Sequence, residues 1–285
     1  MTRILVLGAS GMLGNAVLRV FAESPGFEAW GTVRSARSST LLPAAVQDRL
    51  IGGIEVTDPD SLLRAVAAAR PDAVINCIGL VKQLAAANDP LEALPINAIL
   101  PHRLARICAA TGARLVHLST DCVFSGARGM YRESDFADAD DLYGRSKFLG
   151  ETAAPHTITL RTSIIGHELD GARSLVGWFL AQPGPVRGFA RAIFSGLPTV
   201  EIARVIRDHV LPRPDLSGLY HLSAAPISKY DFLRLVAQRY AKTIEIERDD
   251  AFTIDRSLDS SRFRDATGFT PQPWPDLVEA MASFR

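Results

Sequence analysis

Apolar runs of strand length alternate with segments of helical period along the first 165 residues of the chain. Runs of about 4–8 apolar residues are typical of buried strands, and longer segments with apolar residues about every three or four positions indicate helices. The pattern predicts strands over 3–8, 28–33, 72–79, 114–119 and 157–162, with helices over 11–22, 59–69, 96–111 and 141–153. Repeated βα units of this kind form a parallel sheet that helices cover on both faces.

The regular alternation ends after residue 165, where Gly, Pro and Arg become frequent over 183–198. Helical patterns at 199–209 and 228–241 are separated by irregular stretches, including the strand-like GLYHLS. The predicted fold class is a doubly wound parallel α/β (Rossmann) sheet with a smaller C-terminal α/β lobe. The predicted domains are 1–165, with 199–224 returning to the sheet, for a cofactor, and 166–198 with 225–285 for a substrate.

Length and charge narrow the classes of protein that fit this pattern. A chain of 285 residues makes one large domain or two small ones. Its 31 basic and 31 acidic residues cancel without a basic stripe, which argues against a nucleic acid or an anionic membrane as partner. The apolar runs are far shorter than the roughly 20 residues that cross a bilayer, and RILVLG at the N-terminus lacks a cleavage region. We therefore expect a cytoplasmic protein.

The cysteines and histidines favour neither a disulfide framework nor a metal site. Cys77, Cys108 and Cys122 are an odd, widely spaced set, which is typical of reduced thiols. The six histidines show none of the spacings that bind zinc, so no metal is expected.

Three glycines mark the turn between the first strand and the first helix, in the segment GASGMLG. Gly8 permits a tight turn, Gly11 lets backbone amides approach a pyrophosphate at the helix N-terminus, and Gly14 lets the helix pack closely on the strand. Ser10, Met12 and Leu13 complete the predicted cofactor-binding loop. The alternative is an ordinary βα turn, but strand, turn and helix in register favour a dinucleotide.

Basic and hydroxyl side chains follow the second strand, at Arg34, Ser35 and Arg37. An acidic residue here would bind a ribose 2′-hydroxyl and repel a 2′-phosphate, whereas guanidinium groups pair with phosphate. The sequence therefore favours NADP(H) over NAD(H) as cofactor. The alternative is a pair of solvated surface arginines.

A tyrosine and a lysine stand four positions apart in the helical segment DLYGRSKFLGE. Tyr143 and Lys147 therefore project from one face of the helix. An ammonium beside a phenol lowers the phenol pKa and prepares it for proton transfer. Thr120 ends the preceding strand, where its hydroxyl can hydrogen-bond a reacting carbonyl oxygen. These are the predicted catalytic residues, and Tyr143 and Lys147 are also expected to contact the cofactor.

The spacing GxxGxxG and the Tyr-xxx-Lys pair resemble those of the extended short-chain dehydrogenase/reductase family. The segments LSTDCVFSG, YRESD, DLYGRSKFLGE and LRTS narrow the resemblance, over about residues 1–165, to the dTDP-4-dehydrorhamnose reductase group. The resemblance implies hydride transfer from a nicotinamide to a nucleotide-linked 4-keto-6-deoxy sugar, with Tyr143 protonating the alkoxide, and a homodimer. Further cofactor contacts are expected at Glu55 and Val56, ending the third strand, at Cys77, Ile78 and Gly79, ending the fourth, and at Asn97.

The predicted substrate-binding residues are Lys82, Asp121, Cys122, Phe124 and Arg191; Arg187, Arg256 and Arg262 are further candidates for a pyrophosphate. Cys122 stands where the group usually has tyrosine, which puts the exact sugar in doubt. It also stands where dehydratase relatives carry glutamate, which disfavours that reaction. Epimerisation by a nucleotide-sugar epimerase or epimerase-reductase stays open, as does a sensor that binds NADP without turnover.

Overall fold

The computed structural model describes residues 1–81 and 85–285. The strands are β1 (Thr2–Leu7), β2 (Phe27–Thr32), β3 (Leu50–Ile51), β4 (Ala73–Asn76), β5 (Arg114–Thr120), β6 (Thr157–Thr162), β7 (Ile164–Ile165), β8 (Val186–Phe194), β9 (Leu197–Pro198), β10 (Gly218–His221), β11 (Ile227–Ser228) and β12 (Ile246–Asp255). The α-helices are α1 (Met12–Ala22), α2 (Ala36–Thr40), α3 (Pro59–Ala69), α4 (Pro90–Ala93), α5 (Leu100–Thr111), α6 (Leu142–Leu149), α7 (Leu175–Ala181), α8 (Thr199–Val205), α9 (Lys229–Arg239), α10 (Ser261–Thr267) and α11 (Trp274–Ser283). None of the helices in these two ranges is long and apolar enough to cross a membrane.

The central sheet is parallel, with the described strands in the order β10-β6-β5-β4-β1-β2-β3. Side chains of β1 alternate between its two faces, because Ile4 and Val6 enter one apolar core while Leu5 and Leu7 enter the other. This architecture confirms the predicted doubly wound α/β fold. The strand order reverses between β1 and β4, and in such sheets ligands bind at that point, beyond the carboxyl ends of the strands.

The C-terminal part of the chain contributes both to this sheet and to smaller ones. After α8, strand β10 pairs in parallel with β6 at the edge of the central sheet. Strand β8 pairs with β11 and β12 in a separate sheet, and β7 pairs with β9. Residues 218–221 therefore extend the central sheet, while 186–194 and 246–255 pair outside it.

The helix predicted over 96–111 is interrupted. Residues Leu94–Ile99 form a π-helical turn between α4 and α5. A π-turn carries i→i+5 hydrogen bonds and is frequent at functional sites. It contains Asn97, whose side chain is buried.

Candidate active site

The glycine loop joins β1 to α1 at the carboxyl edge of the sheet. Gly8 has a φ of +80°, and a Cβ there would lie 2.7 Å from Ile78 Cγ1. A Cβ on Gly14 would lie 2.0 Å from Gly8 O, so helix and loop are in direct contact. Helix α1 begins without a side-chain cap at Gly11. Its first amides therefore suit an anion such as a pyrophosphate.

Replacing Gly14 by Ala is expected to remove nucleotide binding and to lower the melting temperature by several degrees. The new methyl group would overlap Gly8 O, which is backbone, so the loop has to move. Calorimetric titration with NADPH and thermal unfolding would measure both effects. Gly52→Ala is the matched control, because nothing lies within 4 Å of its Cβ position. If the Gly14 variant bound NADPH like the control, the close contact would not matter for binding.

The turn after β4 lies beside the glycine loop. It contains Cys77, Ile78 and Gly79, all partly exposed. Asn97 Oδ1 accepts a hydrogen bond from Leu80 N at 2.9 Å, which ties the π-turn to the end of this segment. The Cβ position of Gly79 is 3.4 Å from Asn97 Oδ1, so a larger residue would crowd the amide.

Helix α6 carries the Tyr143 and Lys147 pair. The helix begins at the Asp141 cap, whose carboxylate accepts from Gly144 N at 2.7 Å. Lys147 is buried and its Nζ donates to Leu118 O at 2.7 Å. Burial lowers the pKa of Lys147 to about 8, against the opposing charge of Glu151.

The hydroxyl of Thr120, buried at the end of β5, donates to Asp121 Oδ1 at 3.2 Å and accepts from Cys122 N at 3.1 Å. Its interaction with the Tyr143 phenol lowers the phenol pKa. Burial nevertheless dominates and raises the pKa of Tyr143 above its ordinary value. The net shift of the Tyr143 pKa is therefore opposite to the lowering that the sequence predicted. The reason is that the polypeptide removes water from the phenol, and Lys147 Nζ is held by Leu118 O. The phenol is therefore protonated at neutral pH.

Two candidate substrate-binding residues lie next to this pair. Burial raises the pKa of the Asp121 carboxyl, while Arg256 and Lys229 act in the opposite direction. Cys122 acts electrostatically on Tyr143 and raises the phenol pKa, and Arg256 Nη1 lies 3.9 Å from Cys122 Sγ. The C-terminal segments thus bring two cations to the end of β5. Sequence reasoning gave Arg256 no more weight than several other arginines, and it missed Lys229, because neither belongs to a local motif.

The remaining arginine candidates differ in their surroundings. Arg187 is exposed and pairs at 3.5 Å with Asp249, whose side chain is only 14% exposed, and Arg262 lies over the Tyr220 ring at 4.5 Å. Arg191 is exposed on β8. Lys82 lies outside the described residues.

Two assignments of the sequence analysis are corrected. Phe124 is fully buried and stacks on Tyr131 at 4.1 Å between ring centroids, so it packs the core and does not reach a substrate. Glu55 and Val56 do not end the third strand, because β3 stops at Ile51. Val56 is buried in the core, and Glu55 is exposed, where its carboxylate accepts from Thr57 Oγ1 at 3.1 Å.

The residues after β2 lie at the surface. Arg34 is exposed, and Ser35 caps the short helix α2 by accepting from Ser38 N at 3.3 Å. Arg37 lies 3.6 Å from Asp170 in an ion pair whose side chains are 84% and 62% exposed. A pair so exposed is weak and leaves Arg37 accessible to an anion.

A buried ion pair lies beneath the site. Glu151 accepts from Arg161 Nε and Nη2, each at 2.7 Å, and from Ser119 Oγ at 2.7 Å. Arg161 is 2% exposed, and its Nη1 lies 3.3 Å from His221 Nε2. This network joins β5, the segment after α6, β6 and β10.

Comparisons with known proteins agree with this fold. The chain is 32% identical to the dTDP-4-dehydrorhamnose reductase of Mycolicibacterium smegmatis over 176 residues, which cover 60% of this chain and 48% of that protein. It is 27% identical to methionine adenosyltransferase 2 subunit beta of Xenopus tropicalis over 95% of this chain and 78% of that protein. The chain spans about half the length of several curated reductases that it matches.

A solved structure and a family profile extend the comparison over the whole chain. The dTDP-4-dehydrorhamnose reductase of Bacillus anthracis in complex with NADP has a TM-score of 0.80 and 22% identity, covering 99% of this chain and 98% of that one. Identity at this level shows the fold. The profile described as RmlD substrate binding domain matches residues 1–283, and the chain therefore belongs to that family.

Proposed function

We propose that this chain is an NADPH-dependent reductase of a nucleotide-linked 4-keto-6-deoxy sugar. The observation that carries the proposal is that Thr120, Tyr143 and Lys147 lie together at the carboxyl edge of the sheet. The glycine loop lies at the same edge. The names of curated relatives support it, because several are dTDP-4-dehydrorhamnose reductases.

The residues present fit a dinucleotide. The contact between Gly14 and Gly8 leaves no room for side chains, and the uncapped start of α1 offers amides to the pyrophosphate. Arg34 and Arg37 would hold a 2′-phosphate, and Lys147 would hold the nicotinamide ribose. NADPH, when bound, supplies a hydride to the carbonyl carbon of the sugar.

The protein's own residues supply the proton and hold the oxygen. The Thr120 hydroxyl, which donates to Asp121 Oδ1 in this structure, would instead donate to the carbonyl oxygen and stabilise the negative charge that develops there. Tyr143 transfers its proton to that oxygen, which completes the alcohol. The phenol is protonated before the reaction, because its pKa lies above neutral pH. Asp121 and Cys122, with Arg256 nearby, would contact the sugar and its phosphates.

The proposal also assigns cofactor binding and substrate binding to different parts of the chain. Residues 1–165 with 199–224 would bind the cofactor, since β10 extends the central sheet. Residues 166–198 and 225–285 would bind the substrate, with Arg191 as an accessible cation. The cytoplasmic location and the homodimer stay predictions.

Arg34→Ala is expected to weaken NADPH binding by about tenfold or more and to leave NADH binding within about twofold, because only NADPH carries the 2′-phosphate. Fluorescence titration with each cofactor measures the two dissociation constants. Arg106→Ala, also exposed but on α5, is the control. An equal loss for both cofactors would remove the basis for choosing NADP(H).

The decisive experiment incubates the purified protein with NADPH and a dTDP-4-keto-6-deoxy sugar and follows NADPH oxidation. Steady consumption with formation of the sugar alcohol supports the reductase. Exchange of solvent deuterium into the sugar with no net loss of NADPH would instead indicate an epimerase. If NADPH is not oxidised with any of the dTDP-, UDP- and GDP-linked sugars, the proposal is refuted.

A second candidate is a sensor or subunit that binds NADP without turnover. The observation that favours it is the similarity to methionine adenosyltransferase 2 subunit beta along nearly the whole chain. Binding of NADPH without consumption, together with a changed activity of a co-purified enzyme, would support this function.

A further inference from the structure

His117 lies inside the central sheet, next to Asn76 across the β4–β5 pairing. Both residues are 0% exposed. The nitrogen atoms Asn76 Nδ2 and His117 Nδ1 are 3.1 Å apart. Because an amide nitrogen only donates, His117 Nδ1 accepts this hydrogen bond and the ring proton sits on Nε2.

The imidazole is held neutral in this position. Burial and the charges of Lys147 and His102 keep the pKa of His117 well below its usual value. A neutral ring accepts at Nδ1, whereas an imidazolium donates from both nitrogens. Among the described residues, His117 Nε2 has no hydrogen-bond partner, which costs stability. The histidine is therefore poorly explained as a stabilising core residue.

Asn76 connects His117 to the turn after β4, because its side chain hydrogen-bonds both. Its Oδ1 accepts a hydrogen bond from Ile78 N at 3.1 Å. The Ile78 side chain packs against Gly8, whose Cβ position lies 2.7 Å from Ile78 Cγ1. On the other side, the Cβ position of Gly79 is 3.6 Å from Lys147 Nζ. The turn is thus fixed between the glycine loop and the proposed catalytic lysine.

We propose that His117 is a positioning residue for the cofactor: by accepting from Asn76 Nδ2, it orients the amide so that Asn76 Oδ1 holds the backbone of Ile78 in place. The inference rests on the proposed function, because the turn is expected to contact the nicotinamide half of NADPH. His117 itself is fully buried and would touch neither cofactor nor substrate. Its effect passes through one side chain and one backbone amide.

The first test compares two substitutions of His117. His117→Leu removes the acceptor, and we expect the dissociation constant and the KM for NADPH to rise about tenfold while kcat changes less than about threefold. His117→Asn offers an amide oxygen close to the Nδ1 position and is expected to stay within about threefold of wild type in both constants. If the residue only filled space, Leu, which is nearer in size, would be tolerated better than Asn. That order of affinities would overturn the proposal.

The second test reads the hydrogen bond without any turnover. In protein with ¹⁵N-labelled histidine, the His117 ring should show the Nε2–H tautomer, assigned by its loss in His117→Asn. Asn76→Asp replaces the donor by a carboxylate, so His117 should change to a ring protonated at Nδ1. An Nδ1–H tautomer in the wild type would overturn the proposal, even if the Leu variant fails to fold.

The two tests separate this inference from the proposed function. If the wild type neither binds nor oxidises NADPH, the proposed function fails, while the tautomer measurement still decides whether the hydrogen bond exists. If the wild type is an active reductase but the Leu and Asn variants bind NADPH equally well, only the positioning role fails.

Discussion

Replacing Tyr143 by Phe is expected to lower kcat for ketone reduction by about 10³-fold and to leave the dissociation constant of NADPH within about threefold. The substitution keeps the ring and removes the hydroxyl that interacts with Thr120. Thr120 still polarises the carbonyl, but the variant has no phenol hydroxyl to donate a proton to the developing alkoxide. Stopped-flow or steady-state oxidation of NADPH would give kcat, and fluorescence titration would give the dissociation constant.

The matched control for this experiment is Tyr230→Phe. Tyr230 belongs to α9, and its ring lies 5.5 Å from the Arg248 guanidinium, in a separate part of the chain. That variant should keep the wild-type rate. A Tyr143 variant with nearly the wild-type kcat would mean that another group donates the proton, and Cys122, which acts electrostatically on the phenol, would be the first to examine.

Replacing Arg161 by Met is expected to lower the free energy of unfolding by about 3–5 kcal/mol. The guanidinium is 2% exposed and makes two hydrogen bonds of 2.7 Å to Glu151. Its removal leaves a carboxylate that is 10% exposed without its main partner. Urea unfolding followed by circular dichroism measures the change.

Two further variants show whether the unpaired charge causes the loss. Arg161→Met combined with Glu151→Gln removes both charges and should be more stable than Arg161→Met alone. Arg248→Met breaks an ion pair in which both side chains are more than half exposed, at 57% and 55%, and should leave stability unchanged. If the double variant were no more stable than the single one, packing would account for the loss instead of charge.

Local patterns predicted the repeated βα units because each unit carries its own signals. Helix α3 begins after Asp58, whose carboxylate caps Asp60 N at 3.0 Å, and its bounds match the predicted 59–69. The third strand was misplaced because Gly52 and Gly53 follow Ile51, and Gly53 takes a φ of +66°, which ends the strand. Apolar residues continue beyond the glycines, so the hydrophobic pattern alone does not reveal the break.

In the candidate site, too, features that depend on local sequence were predicted, and features that depend on contacts between distant segments were not. The helical spacing of Tyr143 and Lys147 put both on α6, as predicted. Burial of the phenol and the approach of Arg256 from beyond residue 250 depend on contacts between distant segments. Phe124 was assigned to the substrate from its motif, but Tyr131 and the Arg161 guanidinium, 5.1 Å from the ring, enclose it.

The π-helical turn at Leu94–Ile99 affects how this chain should be aligned with its relatives. Such a turn accommodates one residue more than the same length of α-helix. If the turn is aligned without a gap against a relative with a straight helix, the alignment shifts by one position. Ile96 or Ala98 then occupies the column that belongs to Asn97. An alignment with a one-residue gap keeps Asn97, whose side chain accepts a hydrogen bond from Leu80 N, in its own column.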